Sequence, residues 1–281
     1  MANKTGKTID KTFLSIDQAE ARGFLHRDYI AHCFRWSHVV KFMGRSGKYK
    51  TSRVLDVGCG KEMPLSKLLH SSRMAPEWYG AVDVNKLEMP DQFANSKWKP
   101  ALILGETDIC DVKPEDLPVK PNIIVNFEVL EHVEPEHCRR IMKKFAELLD
   151  EDGTVFLSTP CYDEKVGAAD NHVNEMTYEA FGAALEDTGF RIEGHWGTFA
   201  SQKDYKHLMT PELTAIWDSF RDYYDSNMLS VIFAPLFPAQ SRNAIWELKY
   251  DPNNTSRLFP PLKDVPGPWG SSEVWQTLDV A

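Results

Sequence analysis

The sequence predicts an α/β fold, doubly wound on a seven-stranded, mostly parallel sheet, and three observations predict it. Short apolar runs at Val54–Val57, Trp78–Val82 and Asn122–Asn126 lack polar alternation, as expected of strands buried on both faces of a parallel sheet. Segments with helical spacing lie between the runs, for example Ile141, Phe145, Leu148 and Leu149. The first run ends in Asp56-Val57-Gly58-Cys59-Gly60, where glycine lets the backbone turn tightly and lets a ligand lie against it. In such sheets the ligand crevice opens at the carboxyl ends of the strands, and the first strand-to-helix turn lines it.

The remaining elements follow in order. Residues 1–20 are polar. From about Ala21 to Phe42, Phe24, Tyr29, Ile30, Phe34, Val39 and Val40 recur at helical spacing. Interleaved among them are His26, His32, Arg35, Trp36 and His38. Gly44–Ser52 reads as a linker into the core. Leu65–Leu69 starts the first helix on the sheet, and strand two ends at Asp83. Strand three is placed at 101–104, strand four at 122–126 and strand five at 154–157. A helix over 177–188 stops at Gly189, followed by strand six at 190–196 and strand seven at 243–250. About 45 residues separate the last two strands, with Leu213, Ile216, Trp217 and Phe220 at helical spacing.

The 281 residues are 42% hydrophobic and fit one sizeable core with additions. The expected division is a basic helical cap at 1–50, a central domain at 51–250 with a helical insert near 201–240, and a proline-rich tail at 251–281. The net charge is −9, yet residues 1–53 carry 11 Lys or Arg against 4 Asp or Glu. That basic arm reads as a solvated helix with lysine-rich flanks, although it leaves a polyanion partner open. No apolar run spans a bilayer and the N-terminus lacks a signal-peptide core, so a cytoplasmic protein without membrane contact is expected. The five cysteines are odd in number and lack C-x-x-C spacing, which argues against a disulfide scaffold or a cysteine-rich zinc site.

A dinucleotide fingerprint would need a third glycine where Met63 stands. Asp-x-Gly-x-Gly after a first strand instead resembles motif I of the class I S-adenosylmethionine (SAM) methyltransferases, with Glu62 where that family usually has glycine. The resemblance covers roughly residues 50–200 plus strand seven and implies a Rossmann-like fold that binds SAM. It implies that Asp56, Gly58, Cys59 and Gly60 hold the methionine end. Asp83, with Val84 beside it, would take the ribose, a role that a carboxylate at the tip of strand two suits in itself. Asp108 with Ile109 would meet the adenine, with Asp111 as a competitor. Phe127 or Glu128 would lie near the reacting centre.

A second group follows strand four. Glu128, Glu131 and His132 are spaced i, i+3 and i+4, so a helical turn would place them on one face. Two carboxylates and an imidazole there could bind a divalent cation or move a proton. Joined with His172-x-x-Glu175-x-Thr177-x-Glu179-x-Phe181, the segment resembles two groups of O-methyltransferases. One acts on the 3′ ends of small RNAs at the 2′ oxygen; the other belongs to the ubiquinone pathway. The first implies Glu128, Glu131, His132 and His172 as ligands of Mg²⁺ or Mn²⁺. A metal-free site in which His172 orients the acceptor is the alternative. Glu128, His132 and His172 are accordingly the candidate catalytic residues.

The expected activity is methylation of a hydroxyl oxygen, on a small molecule or a nucleic-acid sugar. The absence of an Asp/Asn-Pro-Pro-Tyr/Phe signature argues against amino methylation of DNA bases. The absence of Pro-Cys after strand four argues against base C5 methylation, although Cys161 follows strand five. An N-methyltransferase, or a non-catalytic SAM-binding sensor or scaffold, stands as the alternative. The acceptor and the oligomeric state are not written in the sequence.

Overall fold

The computed structural model describes residues 27–277, apart from 46, 48, 91, 92, 94, 95 and 97. The basic stretch through residue 26, including the predicted start of the first helix, lies outside the described residues, as does the chain beyond 277.

Seven strands form one sheet: β1 (Arg53–Val57), β2 (Trp78–Val82), β3 (Leu102–Leu104), β4 (Ile123–Phe127), β5 (Thr154–Pro160), β6 (Phe190–Ala200) and β7 (Ser241–Tyr250). Their order is β3-β2-β1-β4-β5-β7-β6. The first five are parallel, and β7 runs antiparallel between β5 and β6. The order reverses between β1 and β4, which puts the ligand crevice at the carboxyl ends of those two strands.

Successive residues of each central strand serve opposite faces. Val54, Ile123, Val125 and Phe156 pack on α1 (Arg27–Arg45) and α2 (Pro64–Ser71). Leu55, Ile124, Val155 and Leu157 pack on α3 (Pro135–Leu148) and α4 (Tyr178–Asp187). In α3 the buried residues Cys138, Ile141, Met142, Phe145 and Leu148 repeat at helical spacing and fix the face it shows the sheet. In α1 the later turns supply Val39, Val40 and Met43 to the core. Its earlier turns bury His32 and Arg35, polar residues directed elsewhere.

Two strands run past the ends that periodicity sets. β5 continues through Ser158, Thr159 and Pro160, and β6 continues from Trp196 to Ala200. In each case the extra residues pair with β7, as Ser158 does with Ile245 and Gly197 with Ala244. A partner strand far along the chain leaves no mark on the local apolar pattern.

Between β6 and β7 the insert folds as α5 (Gln202–Tyr205), α6 (Pro211–Phe220) and α7 (Ser226–Ile232). The α6 start is set by Thr210, whose side chain accepts from Leu213 N, and by Pro211 in the first turn. These helices close a small core of their own from Ala200, Tyr205, Trp217, Leu229, Phe233, Ala234 and Phe237. After β7 the chain returns over α4, where Leu258 N and Phe259 N donate to the Glu186 carboxylate at 2.8 and 3.1 Å. Leu262, Val265, Trp269 and Trp275 then join the main core. No helix among the described residues is long and apolar enough to cross a membrane.

The two cores predict different responses to truncation. Phe156→Ala, in the centre of the sheet, should lower global stability by about 3–5 kcal/mol in urea titrations. Trp217→Ala should raise hydrogen exchange within 201–240 and leave exchange of β1, β4 and β5 unchanged.

Candidate active site

The turn after β1 is built on two glycines in the left-handed region, Gly58 at φ 68° and Gly60 at φ 67°. A Cβ on Gly58 would lie 2.2 Å from Val129 Cγ2, so the turn is pressed against the segment after β4. A Cβ on Gly60 would meet nothing within 4 Å. Asp83, at the tip of β2, ties this turn down: its carboxylate accepts from Gly60 N and from Asn85 N, each at 2.8 Å. Below the turn Asp56 accepts a 2.5 Å hydrogen bond from the Tyr79 hydroxyl. Burial pushes the Asp56 carboxyl up to about 7, with the Tyr79 bond pulling the other way. Burial also drives the Cys59 thiol upward, so it is not a thiolate nucleophile. Met63, where a dinucleotide motif would have glycine, is left-handed at φ 43° with its side chain buried, and α2 begins at Pro64.

A cavity of about 340 Å³ opens over the turn. Asp56, Gly58, Cys59, Gly60, Glu62, Phe127 and Glu128 line one side, and His32, Arg35 and Trp36 of α1 line the other. Asp83 meets this turn through Gly60 N, whereas Val84 beside it is 70% exposed. Asp108 caps the short turn Ile109–Asp111, accepting from Cys110 N at 2.8 Å, and its second oxygen is 3.0 Å from His137 Nε2. Ile109 is buried beside it, while Asp111 is exposed. Asp83, Val84, Asp108 and Ile109 do not line the 340 Å³ cavity.

The structure separates Glu128 from Glu131 and His132, grouped with it by sequence spacing, and from His172, joined to them by the resemblance. Glu128 is itself left-handed, at φ 57°, and only the following Leu130–His132 forms a helical turn, of the 3-10 type. The predicted shared face therefore does not form. Glu128 turns toward the cavity, where Arg35 Nη1 lies 2.9 Å from its Oε1. Asn243 Nδ2 donates to both carboxylate oxygens at 2.9 Å, and Ser158 Oγ donates at 2.8 Å. Burial works to raise the Glu128 carboxyl, but Arg35 and these donors outweigh it and hold it below the usual carboxylate range. Burial also lowers the neighbouring His32 to about 3, which keeps that imidazole neutral.

Glu131, His132 and His172 do come together, with one ligand atom from each within 4.8 Å of the others. Glu131 is fully buried, and His132 Nε2 lies 3.8 Å from its carboxylate. The two imidazoles stand edge to face with centroids 4.8 Å apart. His132 is the solvent-exposed member, and its Nδ1 is 3.1 Å from the Asn171 carbonyl. His172 is buried, its Nδ1 lies 2.6 Å from Glu175, and its Nε2 has no hydrogen-bond partner among the described residues. A second group of possible ligands, Asp108, Cys110 and His137, is half-buried.

Several residues of these sites carry no assignment from sequence. Ser158 reaches Glu128 because β5 pairs with β4, and Asn243 because β7 pairs with β5 in turn, 115 residues of separation being closed by the sheet in the case of Asn243. Tyr79 looks like an ordinary strand residue, and Glu175 follows His172 by three residues in a pattern that assigns it no role.

With this geometry established, comparison with known proteins places the chain. A family model described as a methyltransferase domain matches residues 27–210, and the chain belongs to that family. It is a SAM-dependent methyltransferase of the class I type. Among solved structures, a SAM-dependent methyltransferase from Clostridium acetobutylicum superposes with a TM-score of 0.52 at 12% identity, over 84% of this chain and 98% of that one. Magnesium protoporphyrin IX methyltransferase from Synechocystis, with bound S-adenosylhomocysteine, gives 0.50 at 14% identity over 84% and 88%. At these identities the likeness is one of fold. No curated protein matches the sequence. The residues present fit the cofactor: the opening above Gly60 leaves room against the backbone, and a buried guanidinium borders it.

Removing Arg35 leaves a buried charge without its counter-ion. Arg35→Ala should therefore cost about 3–5 kcal/mol in denaturant titrations, and adding Glu128→Gln should restore most of it. Asp56 sets a pH dependence. Its folded value of about 7 lies above the ordinary 3.8, so its contribution to stability is present below pH 4 and is lost as pH rises through 7. Asp56→Asn should abolish that slope, which approaches about 1.4 kcal/mol per pH unit between the two values.

Proposed function

We propose that this methyltransferase transfers the methyl group to a hydroxyl oxygen of a small molecule or a nucleic-acid sugar, assisted by a divalent cation held by Glu131, His132 and His172. The observation that carries the cation is the buried Nε2 of His172, without a partner among the described residues, beside a buried carboxylate and a second imidazole whose ligand atoms fall within 4.8 Å. A mixed oxygen and imidazole set of this kind suits Mg²⁺ or Mn²⁺. Such a cation lowers the pKa of a bound hydroxyl and orients its oxygen.

The cofactor supplies a methyl group on a sulfonium, which needs positioning more than activation. On this reading Gly58, Cys59 and Gly60 give the methionine portion a bare backbone surface, and Arg35 meets its carboxylate. Asp83, with Val84 beside it, takes the ribose hydroxyls. Asp108, steadied by His137, and Ile109 border the adenine. Phe127 excludes water at the inner end of the cleft.

Glu128 lines the same cleft but is a poor proton acceptor, because Arg35 and its hydrogen bonds hold it ionised and weakly basic. The acceptor's proton would instead pass to solvent once a bound cation lowers its pKa, while His132 and His172 both remain ligands.

Calorimetry with S-adenosylhomocysteine and with Mn²⁺ tests the reading. The wild-type chain should bind both, and His172→Ala should lose the Mn²⁺ isotherm while keeping S-adenosylhomocysteine affinity within about threefold. Transfer of a labelled methyl should then be found on oxygen. Methyl on nitrogen, or turnover unchanged by removing divalent ions, would reject it.

A further inference from the structure

Resting on the cation site proposed above, we propose that Glu175 is its positioning residue and that the C-terminal segment Gly270–Trp275 holds Glu175 in place. Glu175 is fully buried and stands outside the group of ligand atoms. Its Oε2 lies 2.6 Å from His172 Nδ1 and also accepts from Ala169 N at 3.4 Å. A carboxylate in that position keeps the proton on Nδ1, so the Nε2 lone pair is left for a cation.

The loop that carries this pair is gripped from the far end of the chain. Glu175 N donates to Ser271 Oγ at 2.6 Å, and Ser272 Oγ donates to the Glu175 carbonyl at 3.5 Å. One residue before the serines, Gly270 is left-handed at φ 105°, and a Cβ there would lie 2.4 Å from the Glu175 carbonyl oxygen. Only glycine permits that approach. Trp275 Nε1 donates to Asn174 Oδ1 at 2.8 Å, and Asn174 Nδ2 donates to the Leu130 carbonyl at 3.0 Å. Val173 N and Asn174 N both donate to the Glu131 carbonyl, at 2.8 and 3.1 Å. The segment thus connects the two halves of the site, the turn bearing Glu131 and His132 and the loop bearing His172. Trp269 and Trp275, both buried in the main core, anchor it.

The test is Mn²⁺ affinity of the full chain, read from the electron paramagnetic resonance signal of free Mn²⁺, with S-adenosylhomocysteine affinity measured in parallel. Glu175→Ala should weaken Mn²⁺ binding about 10–100-fold and leave S-adenosylhomocysteine affinity within about threefold. Glu175→Gln retains an oxygen to accept from Nδ1–H and should recover part of the loss. Trp275→Phe, which removes only the indole donor, should weaken Mn²⁺ binding several-fold. If Glu175→Ala binds Mn²⁺ as the wild type does while His172→Ala does not, Glu175 has no positioning role and the cation site stands. If the wild-type chain binds no Mn²⁺, the cation site itself is rejected and this inference with it. Should Glu175→Ala fail to fold, unchanged Mn²⁺ affinity in both Glu175→Gln and Trp275→Phe would overturn the proposal.

Discussion

At the end of β4 a residue with a full side chain is held in the left-handed region, and both halves of the site depend on it. Glu128 at φ 57° costs about 1–3 kcal/mol relative to an ordinary backbone conformation. Its carboxylate meets Arg35, Ser158 and Asn243, drawn from α1, β5 and β7. The reversal sends Glu128 into the cofactor cleft and lets the next turn present Glu131 and His132 to His172. Between them Val129 presses on the turn after β1, where Gly58 has no room for a Cβ. The two turns therefore fix one another, and neither can relax alone.

A buried ion pair such as Arg35 with Glu128 is a weak source of net stability, because both charges lose their hydration. Apolar residues of similar size would hold α1 on the sheet as well or better. What the pair does supply is a guanidinium at a defined point of the cleft wall, together with a carboxylate kept ionised. The same helix uses Val39, Val40 and Met43, a turn or two later, for ordinary core packing. Its two ends thus divide the work of site and fold.

Much of the fold was legible because its signals are local. Apolar runs marked the strands, Gly58 and Gly60 marked the first turn, and the gap before β7 marked the insert. The glycine turn and the Glu131–His132 segment both fall at the carboxyl edge, where a parallel sheet puts its ligands. The direction of Glu128 was not legible. Spacing of i, i+3 and i+4 describes one face only if the turn is helical from its first residue, and a left-handed residue breaks that phase. Nor could spacing show that Asn243 meets Glu128 or that Ser271 meets Glu175, since a contact across about 100 residues is set by topology.

That contrast separates the two sides of the site by how they are built. The side proposed for the cofactor comes largely from turns next to their own strands, Gly58–Gly60 after β1 and Asp83 after β2, so short motifs specify it. The other side is assembled from distant pieces: the loop through His172, the strap at Gly270–Trp275 and strand β7. A change in any of those pieces can alter the acceptor side while the glycine turn stays intact. On the proposed reading, acceptor choice would therefore be carried by the packing of the chain's C-terminal segments on the loop before α4. A match to motif I cannot reach it, because motif I ends more than 100 residues before that loop begins.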